Sequence, residues 1–169
     1  MGDTQALEPD DVMTATDQHG QIAHQSLIDH SVRLERTLHE VSDGVWCLVG
    51  NGLSNQTFVT APDGIIAIDT GESIEEMRDA LVELRTVTDA PIVAVIYTHF
   101  HYVSGTQAIL DTEPVEEIWG HARIEDNLRR SATEIAPAYG RGLVEQFAMK
   151  LPQDGPDGIV NVGLGRAYR

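Results

Sequence analysis

The chain has 169 residues, 41% of them hydrophobic, and a formal net charge of −16 from 27 acidic and 11 basic side chains. That length suits one domain burying about 68–70% of its unfolded surface. A surface this acidic repels nucleic acid and anionic lipid, so neither nucleic acid nor membrane is expected as a partner. Lys150 is the single lysine. An acidic, lysine-poor surface is also what a salt-rich cytoplasm favours. A halophilic source and an acidic mesophile both fit, and a melting temperature that rises in molar KCl would separate them. Cys47 is the sole cysteine, which rules out an internal disulfide and a thiolate metal cluster. Between Trp46 and Leu48 it reads as a buried, inert thiol. No apolar run reaches membrane-span length, and the N-terminal stretch lacks the regions of a signal peptide. The expectation is a soluble cytoplasmic protein.

Residues 1–40 read as a polar N-terminal arm. The first half is acidic and polar, and residues 21–40 carry Ile22, Leu27, Ile28 and Val32 at a spacing that fits a short helix only loosely. From Val41 the pattern changes, and residues 41–150 read as a folded unit. Val45–Val49 is a strand candidate ended by Gly50-Asn51-Gly52. Thr57–Thr60 and Ile65–Ile68 are two more, joined as a hairpin through Pro62-Asp63-Gly64. Asp69-Thr70-Gly71 then leads into a helix. Ser73 is its N-cap, Glu76 stands three residues on as in a capping box, and Met77, Leu81 and Leu84 form its apolar stripe. Pro91 ends it, and Ile92–Ile96 is a buried strand. The β–α–β step predicts parallel pairing with a crossover helix. Short helical and strand segments are predicted at Gly105–Leu110 and Val115–Trp119, and an amphipathic helix at Ala122–Ala136. Beyond Tyr139-Gly140 the pattern fades, and residues 151–169 read as a loop-rich tail.

The run Tyr97-Thr98-His99-Phe100-His101-Tyr102-Val103-Ser104-Gly105 carries the chemistry. Two histidines spaced i, i+2 just past a strand end can aim both imidazoles at one metal ion. A catalytic zinc takes three protein ligands and a water. An isolated pair is also compatible with two solvated or hydrogen-bonded side chains at a strand end. His121, after Ile118-Trp119-Gly120, stands at another strand end and is a candidate third ligand or a surface histidine. Arg129 and Arg130 are candidates to clamp an anion such as sulfate, or a solvated helix face pairing with Glu125, Asp126 or Glu134.

With Thr98, His99 and His101 in place, the run resembles the T-H-x-H-x-D-H signature of the metallo-β-lactamase superfamily, with a glycine following at Gly105. Val103 stands where that family has its metal-binding aspartate and Ser104 where it has its third histidine. Downstream, Trp119-Gly120-His121, Asp126-Asn127, Arg129-Arg130, Tyr139-Gly140, Leu151-Pro152 and Gly163-Leu164-Gly165 are similar in order and spacing to the alkyl sulfatase branch. The resemblance runs from about Val41 to Arg169 and implies an α/β (α+β) fold. That fold is an incomplete αββα sandwich, a mixed sheet with helices on one face, because the family's chains continue well past this point.

By the same resemblance, Asp69 lies near the metal pocket and accepts a hydrogen bond from the motif loop, supporting the ligands. A helix-leading carboxylate favoured by the helix dipole is the other reading. His99 and His101 would be metal ligands. Zinc is the implied cofactor, at most a partial site, and a small-molecule sulfate ester the implied substrate, hydrolysed by metal-activated water. The replacements at Val103 and Ser104 lead to the expectation of a hydrolase impaired as this chain alone. The alternative is a non-catalytic relic or partner module. Its uncovered sheet face would drive homo-oligomerisation or association with a complementing C-terminal half.

Overall fold

In the computed structural model, residues 13–147 and 149–162 are described. A small antiparallel hairpin comes first, β1 (Thr14–Thr16) on β2 (Ile22–His24). Its turn is closed by Asp17, whose Oδ1 accepts from the backbone N–H of His19 at 2.8 Å and of Gln21 at 2.9 Å. A short helix α1 (Gln25–Ser31) follows, with the His24 side chain accepting from Ser26 N as its N-cap.

The body is a six-stranded sheet whose spatial order equals chain order. Its strands are β3 (Thr37–Ser42), β4 (Val45–Val49), β5 (Gln56–Ala61), β6 (Gly64–Ile68), β7 (Ile92–Ile96) and β8 (Glu117–Trp119). The first four run antiparallel. The steps from β6 to β7 and from β7 to β8 are parallel. Helix α2 (Ile74–Leu84) makes the first of these crossovers and α3 (Thr106–Leu110) lies in the second. Period-two alternation puts Leu48, Phe58, Ile65, Ala67 and Val95 on the face under these helices. There they meet Met77, Ala80, Leu84, Ala108 and Ile109 in one buried cluster. Residues alternating with them, among them Val59, Ile66, Ile68, Ala94 and Ile96, are only half-buried. This is the mixed sheet with helices on one face that the sequence predicts.

Besides the β1–β2 hairpin inside the expected arm, two segments differ from the sequence reading. Thr37–Ser42 is the sheet's outer strand and not part of an arm, so the sheet begins before Val41. An edge strand faces solvent along most of its length. Leu38 is its only apolar residue that is not exposed, which leaves no alternation to read. The second difference is at the C-terminal end. Helix α4 (Ile124–Arg130) runs through one π-helical stretch, Ser131–Ile135, into α5 (Ala136–Phe147). Pro137 follows directly on the π-helical stretch, where the regular i to i−4 ladder is already interrupted, and the helix continues past the proline and both following glycines. Of the tail, Gly163-Leu164-Gly165 lies outside the described residues.

Candidate functional site

The C-terminal ends of β6 and β7 lie side by side, and the motif loop leaves from one of them. Backbone amides fix this rim. Asp69 N donates to Ile96 O at 2.9 Å, and Thr70 N donates to Tyr102 O at 2.8 Å. Gly105 makes the loop's return possible. A Cβ there would overlap the Thr70 carbonyl and press on Met77, so only glycine lets the turn lie this close to α2. Beneath the turn, the Thr106 hydroxyl donates to Val103 O at 2.9 Å and accepts from the Tyr97 phenol at 2.5 Å.

Asp69 is the one residue other than glycine with positive φ (58°) among those described. That conformation carries strain, which persists only where surrounding contacts hold it. Here they do. Asp69 Oδ1 accepts from Thr98 N at 2.9 Å and Oδ2 from the Thr98 hydroxyl at 2.6 Å. With its proton committed to Asp69, Thr98 Oγ1 is left as an acceptor. It lies 2.8 Å from His99 Nδ1. The chain of bonds therefore puts the His99 proton on Nδ1 and leaves the Nε2 lone pair free.

The His99 and His101 rings stand edge to face, their centroids 5.1 Å apart, and Tyr102 packs edge-on to His99 at 4.8 Å. Both histidines are exposed at the rim. The His101 imidazole is held below its ordinary pKa of 6.5, first by desolvation and then by the neighbouring His99. It is therefore neutral at neutral pH, the form that donates a lone pair. The Tyr102 phenol is pushed up, first by burial and then by the carboxylates of Glu72, Glu76 and Asp69.

Other predicted residues lie apart from this pair. His121 is exposed beyond β8, and its Nδ1 accepts from Arg123 N at 3.1 Å. Arg129 pairs with Asp126 at 3.0 Å and Arg130 with Glu134 at 3.2 Å, all four side chains exposed. Among the described residues no three histidine, cysteine or acidic side chains form a metal-sized group. Two imidazoles fall short of the three protein ligands of a catalytic zinc, so the donor set present here does not fit one.

Sequence reasoning missed two features. One is a polar knot under the rim. Glu76, fully buried in the first turn of α2, accepts from Gln56 Nε2 at 2.6 Å, Ser54 Oγ at 3.3 Å and Glu72 N at 2.8 Å. Ser73 caps the helix as predicted, its Oγ accepting from Glu76 N at 3.1 Å. One oxygen of the Glu76 carboxylate reaches back past the cap to Glu72 N while the other turns inward to Gln56 and Ser54, and a Cβ at Gly71 would strike it. The other is a cleft of about 410 Å³ between the motif loop and α5, lined by Leu53, Glu72, His101, Tyr102, Tyr139 and Leu143 among others. The i, i+4, i+8 spacing of Tyr139, Leu143 and Phe147 carried its signal.

Comparison with known proteins fits this architecture. Residues 49–162 match the family model of the metallo-beta-lactamase superfamily, and the chain belongs to that superfamily. Within it, the relatives it matches are alkyl sulfatases. A linear primary-alkylsulfatase from Pseudomonas sp. (strain ATCC 19151) is 33% identical over 113 residues, covering 63% of this chain and 21% of that protein. Another, from Pseudomonas sp., is 37% identical over 135 residues, covering 76% and 20%. The chain thus spans about a fifth of the length of these relatives. The fold is similar to that of the sec-alkyl sulfatase PisA1 in a double mutant, with a TM-score of 0.69, 23% identity and coverage of 86% of this chain and 24% of that one. For the stereoselective inverting sec-alkylsulfatase Pisa1 from Pseudomonas sp. the values are 0.64, 22%, 77% and 22%.

Proposed function

We propose that this chain is a metallo-hydrolase-type module of the alkyl sulfatase kind. It presents His99 and His101 as two donors of a zinc site and is impaired, as this chain alone, in hydrolysing sulfate esters. The observation that supports it most is the strained Asp69, whose carboxylate clamps Thr98 and through it aims His99. A loop held this way resembles a ligand loop. Val103 and Ser104 at the positions of two further ligands support the impairment. In this reading Asp69 is a positioning residue, and Arg129 and Arg130, paired to acids on their own helix face, take no part in anion binding. The test is zinc titration together with dodecyl sulfate turnover. The expected result is weak zinc binding with background turnover. Restoring the motif with V103D and S104H should tighten zinc by at least about tenfold. A full equivalent of tightly held zinc with rapid turnover in the unaltered chain would contradict the impairment. No gain in the restored variant would contradict the ligand loop.

A second reading has its own observation. Val59, Ile66, Ile68, Ala94 and Ile96 form an apolar, half-buried sheet face opposite the helices. In this reading the face carries a second copy or a complementing half-domain. Ile66→Lys would then turn a dimer or complex into a monomer in light scattering. A monomer before the substitution would contradict it.

A further inference from the structure

The cleft between the motif loop and α5 has an unusual balance of groups. Its walls are apolar, with Leu53 from the loop before β5 and Leu143 and Phe147 from α5. Tyr102, Tyr139 and His101 also line it. Glu72 is its only acidic lining residue, and neither lysine nor arginine lines it among the described residues. Its volume of about 410 Å³ is in the range of small-molecule sites, which span roughly 300–1,000 Å³.

We propose that this cleft binds an organic ammonium ion carrying an apolar chain. The apolar walls would take the chain, and the cationic head would pair with Glu72 beside the rings of Tyr102 and Tyr139. Cations are attracted to the negative faces of aromatic rings, and aromatic residues around a carboxylate are suited to weakly hydrated quaternary ammonium groups. Electrostatics separates this occupant from the others. Glu72 lines the cleft, and the buried Glu76 carboxylate stands directly behind it, accepting from Glu72 N at 2.8 Å, so two acidic groups set the field at this wall. An anionic head in the cleft meets that field with no lining lysine or arginine to offset it. A neutral chain would desolvate Glu72 and leave it without a counter-charge, which is unfavourable. The cationic head alone offsets the field and satisfies the carboxylate. This preference is opposite in charge to an alkyl sulfate, and it does not depend on any metal.

Calorimetric titration of the full chain, in chelator and below micelle-forming concentrations, compares three ligands of equal chain length. These are decyltrimethylammonium, 1-decanol and decyl sulfate. The ammonium should bind at least about tenfold more tightly than either of the others. Glu72→Gln should remove that advantage. Tyr139→Ala, at an exposed position, should reduce it. Glu75→Gln changes the same charge on the outer surface of α2, outside the cleft, and should leave it intact. That control separates the site from general attraction to an acidic protein. Equal or tighter binding of decyl sulfate or decanol overturns the proposal. So does an equal loss in Glu75→Gln, or an advantage that survives in folded Glu72→Gln. The three-ligand comparison on the unaltered chain decides the matter even if a variant fails to fold. His101 lines the cleft as well as belonging to the histidine loop, but the titration is run in chelator and reads neither zinc binding nor turnover, so its failure and the failure of the zinc-donor reading are distinguishable.

Discussion

The rim of β6 and β7 and the helical run from Ile124 to Phe147 are built by different means. At the rim, Asp69, Thr70, Thr98, Thr106 and Glu76 pair with one another or with nearby backbone, and Thr70 and Glu76 are fully buried. Along α4, the π-helical stretch and α5, no residue is buried, and the side-chain ion pairs join exposed neighbours one turn apart. Such pairs contribute only a few tenths of a kcal/mol each, about 0.3–0.5. The rim therefore holds its geometry by itself. The helical run supplies one wall of the cleft without fixing the loop opposite. The histidines depend on the rim, and the cleft depends on both regions.

Breaking the polar knot should have the largest effect. Glu76→Ala takes the charged acceptor from the Ser54 hydroxyl, the Glu72 N–H and the Gln56 amide, the last keeping only its bonds to Ser54. It should cost about 2–4 kcal/mol in urea unfolding. Leu143→Asp, on the other side of the contrast, should cost less than about 1 kcal/mol, yet remove one cleft wall and weaken chain binding there. Similar losses from the two substitutions would erase the distinction between the regions.

Glu72 sharpens the comparison with a smaller effect. Its carboxyl is raised above the ordinary value of 4.5, first by desolvation and then by negative Glu76. A raised acid favours the folded state when protonated. That contribution is complete below pH 4.5 and is lost as pH climbs through the raised value. Glu72→Gln should therefore raise the melting temperature at pH 7 and leave it nearly unchanged at pH 4. A gain confined to low pH would reverse the assignment.

The parts of this molecule readable from sequence are those where one short segment carries its own signal. Strands β4 to β7 announce themselves by continuous or alternating apolar runs, and α2 by Ser73 and its apolar stripe. Asp69, His99 and His101 are visible because the motif spacing is local. β3 is not, since an edge strand with Leu38 as its one shielded apolar residue has no pattern to show. Nor is the length of α5, where Pro137, Gly140 and Gly142 give stop signals that the helical run overrides, the π-helical stretch interrupting its ladder just before the proline. Glu76 looks like half of a capping box, and only Gly52 and Gly71, distant in sequence and close in space, explain why it turns inward. The cleft brings Leu53, Glu72, Tyr102 and Tyr139 from four separate segments. Such convergence is a property of the fold and is written in no single stretch of the chain.

The central claim is that Asp69, acting through the Thr98 hydroxyl, sets the proton on His99 and so presents its free nitrogen at the rim. Long-range proton–nitrogen NMR of the histidine rings at pH 7.5 tests it directly, in metal-free protein. The account predicts that His99 is held as the Nδ1–H tautomer, and that Thr98→Val returns it to a tautomer mixture while His121 is unchanged. A His99 ring that is Nε2–H, or already an even mixture with Thr98 and Asp69 in place, would contradict it.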